Sequence, residues 1–401
     1  MRRFNGMDGA AGGLRCGKCG TVVSVPRSAP SAYHPIVPPP VFPDCQVNAT
    51  RCPCCGAEIE SGIRTASMNC PFCGAGLVFD DRQLRFAKPD GVAPVMISGN
   101  RVRRLVKEWC GRHFFAPDLT SKYLEVKFIS PQYIPFWVFS ASTATEYEGS
   151  GRRIRISTDP SKRIRHDDWS RVSGTRSDDL DNIGVRAVTG VKDDYAGFLF
   201  RTTPPDAITA WRPEYFAGSY SFIPSVAVTT AEARAKKDMK DEIRKRQEKE
   251  LNRLYGYNDF SWKTFDVSYS GMAWRLEQIP GYFVICRYHG GIYVDAVNGV
   301  TGDIYGTYPV SLLKVTAAFI PAAIAAFAWF ALTIPEMVSV CSQAEKICRF
   351  SWGVFGISAA IYAVIALIAY VCLLFWLKSR VFGRDDLQKN PWLAGIIGKI
   401  K

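Results

Sequence analysis

Three patterns in this chain of 401 residues predict an α+β fold of three parts. Paired cysteines gather before residue 75, alternating apolar residues fill the middle, and two long uncharged runs stand near the end. In chain order they predict an N-terminal zinc ribbon, a mixed antiparallel-sheet cytosolic domain and a C-terminal two-helix transmembrane hairpin. The boundaries read as a flexible N-terminus with a partial Cys knuckle (1–50), the ribbon (51–80), the cytosolic domain (90–310), the hairpin (311–378) and a basic cytosolic tail (379–401).

The ribbon rests on Cys52-Pro53-Cys54-Cys55-Gly56 and Cys70-Pro71-Phe72-Cys73-Gly74. Each knuckle puts two thiolates on one tight turn, followed by a glycine that accepts backbone angles a side chain resists. The 14 residues between Cys55 and Cys70 suit two short strands that bring the turns together around one Zn2+. Four soft ligands leave no open position, so Cys52, Cys55, Cys70 and Cys73 point to a structural metal. Two disulfides are the alternative; scattered further cysteines and the expectation of no secretory leader favour zinc. Cys16-Gly17-Lys18-Cys19 is a third knuckle without a matching pair, so Cys16 and Cys19 are candidates for a second site. Cys45, Cys54 and His34 are unpaired candidates to complete it. Residues 21–50, rich in Pro and small side chains, read as a linker.

The formal charge of +13 suits either nucleic acid or the anionic inner face of a membrane. Val315 to Pro335 gives 21 uncharged residues and Phe350 to Leu377 gives 28, each long enough to span about 30 Å of hydrocarbon. Lys378, Arg380, Arg384 and Lys389 follow the second run, which predicts both termini in the cytoplasm and an inner-membrane location. Cys341 and Cys348 would then lie outside, where a disulfide or two free thiols are the alternatives. Neither run holds an acid, base or histidine, so the hairpin reads as an anchor in the lipid bilayer rather than a transport path.

In the middle, Val102, Leu105, Val106 and Trp109 share one face of a helix predicted near 99–113. Leu124, Val126 and Phe128 alternate as a half-buried strand, and Tyr133 to Phe139 reads as a central strand beyond Pro135. Gly149-Ser150-Gly151 is read as a hairpin turn. A helix is expected from about 230 to 254, capped by Thr229 with Glu232 and closed by Gly256, with a stripe of Ala235, Met239, Ile243 and Leu254. Nine Lys or Arg and five acids lie between 234 and 253, which fits a solvated helix along a sheet better than a nucleic-acid or lipid face. Tyr282 to Tyr305 reads as a β-meander with turns at His289-Gly290-Gly291 and Asn298-Gly299.

No Gly-x-Ser-x-Gly elbow, phosphate loop or His-Glu-x-x-His occurs, and the four histidines lie far apart in sequence. Asp167-Asp168 and Asp178-Asp179 read as exposed loop acids. No catalytic residues and no small-molecule substrate are therefore expected. A redox role for Cys54, beside the metal knuckle, is a further alternative.

The chain resembles a family of bacterial zinc-ribbon membrane proteins, with ribbons like those of transcription factor IIB or the zinc region of primosomal protein N-prime. The stretches that carry the resemblance include both knuckles, Pro89-Asp90-Gly91-Val92-Ala93-Pro94, Tyr133-Ile134-Pro135-Phe136-Trp137, Tyr215-Phe216-Ala217-Gly218 and Val297-Asn298-Gly299-Val300-Thr301-Gly302. The resemblance implies partners of the flotillin-like or phage-shock type in envelope stress. It also implies a complete first ribbon, of which only Cys16 and Cys19 are present here. The combined expectation is a membrane-anchored zinc-ribbon adaptor that recruits protein partners. The alternative is a membrane-tethered zinc ribbon that binds nucleic acid; with only Arg51 and Arg64 against Glu58 and Glu60, the ribbon makes nucleic acid the less expected partner.

Overall fold

The structure, a computed structural model, describes residues 4–8, 13–16, 21–35, 49–51, 58–60, 65–69, 76–78, 89–118, 120–156, 165–189, 191–216, 219–289, 291–311 and 313–318. Short strands come first: β1 (Phe4–Asp8), β2 (Gly13–Cys16), β3 (Val22–Ser24), β4 (His34–Pro35), β5 (Ala49–Arg51), β6 (Glu58–Glu60), β7 (Thr65–Asn69), β8 (Gly76–Val78) and β9 (Gly91–Val92). Helices α1 (Gly99–Arg112) and α2 (Thr120–Tyr123) lead into two long strands, β10 (Glu125–Ile156) and β11 (Arg165–Arg186). After α3 (Asp193–Thr202), β12 (Thr209–Ala210) and β13 (Tyr220–Phe222) come α4 (Val228–Tyr255), β14 (Asp259–Tyr288), β15 (Gly291–Asn298) and β16 (Ile304–Gly306).

Two compact units are formed. The larger takes the described residues of Met1–Gly99, Ser130–Tyr282 and Val297–Asp303; the smaller takes those of Asn100–Ile129, Phe283–Ala296 and Ile304–Lys401. The larger unit carries most of a mixed sheet of eleven strands, in the order β12-β9-β14-β10-β13-β7-β8, with β11 added to β10 and β4 to β14. β13 runs parallel to β10, and β9 parallel to β14. β11, β12, β7, β8 and β4 each pair antiparallel with their neighbours.

β10 shows how the sequence builds this sheet. Phe136, Trp137, Val138 and Phe139 are all buried, as expected for a central strand covered on both faces. From Ala141 onward burial alternates: Ala141, Thr143 and Thr145 point inward, Ser142, Ala144 and Glu146 outward. Pro135 lies where β10 exchanges partners, from Tyr133 opposite Ser221 of β13 to Phe136 opposite Arg186 of β11. A residue without an N–H fits that changeover, and its carbonyl still accepts the Ala187 N–H.

The turn read at Gly149-Ser150-Gly151 is not a turn. β10 continues through it to Ile156, paired with β11 as far as Arg165. The glycines are there because other groups sit against the strand. A Cβ on Gly149 would lie 2.5 Å from the Ser261 carbonyl oxygen, and one on Gly151 would lie 2.6 Å from the Tyr257 ring.

α4 packs its i, i+4 ridge of Ala231, Ala235, Met239, Ile243, Gln247 and Leu251 towards the sheet. Trp137, Phe139, Val185, Phe265 and Leu276 share the core with it. Leu254, expected in the buried stripe, is 57% exposed; the buried ridge follows every fourth residue and ends on Leu251, three positions before it. The helix begins after Ala227 with no side-chain cap, so the Thr229–Glu232 box is not used, and it closes on Gly256 at φ 68°.

In the smaller unit, α1 buries Val102, Val106 and Cys110. The last residues of β14, with β15 and β16, form the expected meander, for β15 pairs with both.

The expected three-part fold needs correction. A ribbon, a separate antiparallel domain and a transmembrane hairpin do not describe this body, which is mostly one large mixed sheet with few helices. Among the described residues no helix is long and apolar enough to cross a membrane. The longest, α4, carries nine cations and five acids between 234 and 253. The runs 315–335 and 350–377 lie outside the described residues, apart from 315–318 at the end of the helical stretch 313–318. There Val315 is 1% exposed and Lys314 pairs with Asp118, so the run begins packed against protein. The two-crossing inner-membrane placement is corrected on that finding. Cys341 and Cys348 also lie outside the described residues.

Candidate functional site

The strands locate the chain positions of the cysteine knuckles without describing their side chains. β5 pairs antiparallel with β6, Arg51 opposite Glu58, so Cys52 and Cys55 fall in the connection between them. β7 pairs antiparallel with β8, Asn69 opposite Gly76, so Cys70 and Cys73 fall in the connection of that second hairpin. β7 also pairs with β13, Ser221 opposite Ser67, which makes this hairpin the edge of the main sheet. In the N-terminal three-stranded sheet, Cys16 is the last residue of β2, opposite Phe4 of β1, and Cys19 falls between β2 and its partner β3. Cys19, Cys45, Cys52, Cys54, Cys55, Cys70 and Cys73 lie outside the described residues. Among the described residues no three His, Cys, Asp or Glu side chains are arranged to hold a metal, and the four cysteines expected to bind zinc lie outside those residues.

His34 is not a spare metal ligand. Its Nε2 lies 2.7 Å from Asp90 Oδ1, while Asp90 Oδ2 accepts the Leu276 N–H at 2.8 Å. Its ring also meets Trp274, opposite it on β14, at 5.0 Å between centroids. Beside this pair, Tyr33 donates to Asp181 Oδ1 at 2.6 Å, and the Arg275 guanidinium lies 4.5 Å over the Tyr33 ring. Arg275 Nε donates to Glu277 Oε1 at 2.6 Å. Burial raises the Glu277 carboxyl above its ordinary value, and Arg275 opposes that rise. Burial, then the bond to Asp181, likewise raises the Tyr33 hydroxyl.

This network fastens residues 25–35, read from sequence as linker, along the sheet. Ser28 donates its N–H to Thr209 Oγ1, its carbonyl accepts the Ala210 N–H, and Tyr215 donates to the Pro26 carbonyl. Each of its polar side chains has a hydrogen-bond partner, so it holds chain.

The smaller unit holds one unmatched acid. Asp295 on β15 is wholly buried; its Oδ1 accepts the Thr307 N–H at 3.0 Å and its Oδ2 lies 4.0 Å from Cys286 Sγ. Burial pushes its carboxyl up to about 8, against which the Thr307 bond works. Cys110 and Cys286 are free, buried thiols, both pushed up by burial first and by Asp295 second. Raised, inaccessible thiols are poor nucleophiles.

Sequence reasoning passed over Asp90, Glu277 and Asp295. A signal existed for the last two: each is a single acid inside an apolar strand, Leu276-Glu277-Gln278-Ile279 and Tyr293-Val294-Asp295-Ala296-Val297. Asp178 and Asp179, read as loop acids, lie on β11 opposite Thr143 and Ser142. Asp178 takes Arg176 at 2.5 Å and Asp179 accepts from Ser142 at 2.7 Å, beside an open hollow of about 410 Å³.

No family model matches the chain, and no solved structure matches it. Among curated proteins it is similar to an uncharacterized protein of Bacillus subtilis (strain 168), YdjG. The two are 22% identical over 245 residues, which span 60% of this chain and 70% of that protein. That similarity brings no activity with it.

Proposed function

We propose that this protein is an adaptor, a binding protein rather than an enzyme, which presents a docking surface to protein partners. In this reading Zn2+ on Cys52, Cys55, Cys70 and Cys73 ties the β5–β6 hairpin, a sheet of its own, to the β7–β8 hairpin at one edge of the main sheet. The observation that carries the reading is the pairing of β7 with β8 and β13: a hairpin with its cysteines at the closure forms the sheet's edge. Paired CxxC closures are the donor set that tetrahedral zinc takes, and such a site contributes folding energy outright. A hairpin of strands this short is marginal alone in water. The metal would therefore decide whether that edge is ordered and able to bind.

The test is photo-crosslinking in cells, with Cys52→Ser/Cys55→Ser beside the native chain. Loss of zinc together with loss of the crosslinked partner bands is expected. Unchanged bands from a zinc-free variant would remove the ribbon from the function, and no partner bands from the native chain would remove the adaptor.

A further inference from the structure

α4 has a second ridge, directly opposite the one it buries. Lys237, Asp241, Lys245, Lys249 and Arg253 follow one another at intervals of four residues, about 24 Å from end to end. Between 234 and 253 the sequence sets nine cations against five acids, and it does not show which cations those acids meet. The fold uses those acids elsewhere. Glu232 pairs with Lys236 at 2.6 Å and Glu242 with Arg246 at 3.0 Å. Glu248 accepts the Trp262 indole N–H at 2.9 Å, and Glu250 takes Arg176 of β11 at 2.6 Å. Among the described residues Lys237, Lys245, Lys249 and Arg253 have no ion-pair partner, and all four are exposed. Off the ridge, in the last turn of the helix, Leu254 and Tyr255 are 57% and 50% exposed.

We infer that this ridge is a docking surface for an acidic α-helix of a partner protein. The inference rests on the adaptor reading and names the partner's chemistry. The ridge reads plus, minus, plus, plus, plus, so its complement is a face carrying acids every fourth residue with one cation near the start. Asp241 argues against nucleic acid, because a phosphate backbone has no positive position to set against it. A helix can place a Lys there and acids on either side.

The test uses the full chain and fluorescence anisotropy. The probe is an alanine-rich helical peptide of about five turns with Glu, Lys, Glu, Glu, Glu at every fourth position. The comparators are a scrambled peptide of the same composition and an oligo-dT of similar charge. The patterned peptide is expected to bind about tenfold more tightly than either, the factor given by about 1.4 kcal/mol spread over three or four exposed pairs. Lys245→Glu/Lys249→Glu/Arg253→Glu should remove that preference while circular dichroism stays native. Asp241→Lys should weaken the patterned peptide alone. Equal binding of the scrambled peptide, or tighter binding of oligo-dT, overturns the inference. If the preference fails while crosslinked partners persist in cells, the ridge falls and the adaptor stands. Preference without any cellular partner is the reverse case, and there the adaptor reading falls.

Discussion

Asp295 places an acid where water does not reach, with one backbone N–H and a thiol as its neighbours. Its folded value of about 8 lies above that of an unfolded chain, near 3.9, so the unfolded state gives up its proton first. Stability is therefore complete below about pH 4, falls as pH rises towards 8, and is level above that. Asp295→Asn keeps the acceptor for Thr307 and removes the titration. It is expected to raise the unfolding midpoint at pH 7, by a free energy on the order of 4 kcal/mol at most, and to change little at pH 4.5. An equal shift at both values would show that Asp295 is already ionised in the fold. Asn298 works in the opposite sense, as a polar side chain fully used. Its amide donates to the Leu199 carbonyl and to the hydroxyls of Thr202 and Thr203, and its Oδ1 accepts the Val300 and Thr301 N–H groups. Asn298→Ala would leave these buried groups unmet and is expected to lower stability by about 3 kcal/mol in urea titrations.

At the level of elements, the glycines of β10 are the sharpest probe. Gly149→Ala and Gly151→Ala meet the Ser261 carbonyl and the Tyr257 ring, so each is expected to lower the thermal midpoint by the equivalent of about 1–3 kcal/mol. Gly271→Ala has nothing within 4 Å and carries only the strain of φ 59°, about 1 kcal/mol. Similar losses at all three positions would contradict the continuous β10. Periodicity made α1, α4 and the meander of β14, β15 and β16 legible, because each buries one face at a regular interval. It failed at Gly149 and Gly151, since a glycine chosen for close approach looks in sequence like one chosen for a turn. It also failed at Leu254, which stands three residues beyond Leu251 and so falls off a ridge spaced by four. The chemistry of the candidate site was legible only in part. CxxC spacing marks the closures of hairpins, whereas the links from His34 to Asp90 and from Tyr33 to Asp181 join residues more than fifty positions apart, with no local pattern to announce them.

Over the whole molecule, one wide sheet links the cysteine-bearing edge at β7 and β8 through β13 and β10 to β14. In the same unit, α4 lies against β11 with Lys237, Lys245, Lys249 and Arg253 exposed. The proposed adaptor would need its edge hairpin ordered, and a metal held by four thiolates would supply that order. Zinc K-edge absorption on the purified full chain tests the assignment most directly. One Zn2+ per ribbon with four sulfur neighbours at about 2.3 Å is predicted, disappearing in Cys70→Ser/Cys73→Ser. A chain that folds and binds its partner without zinc, or a metal shell of nitrogen and oxygen, would contradict it.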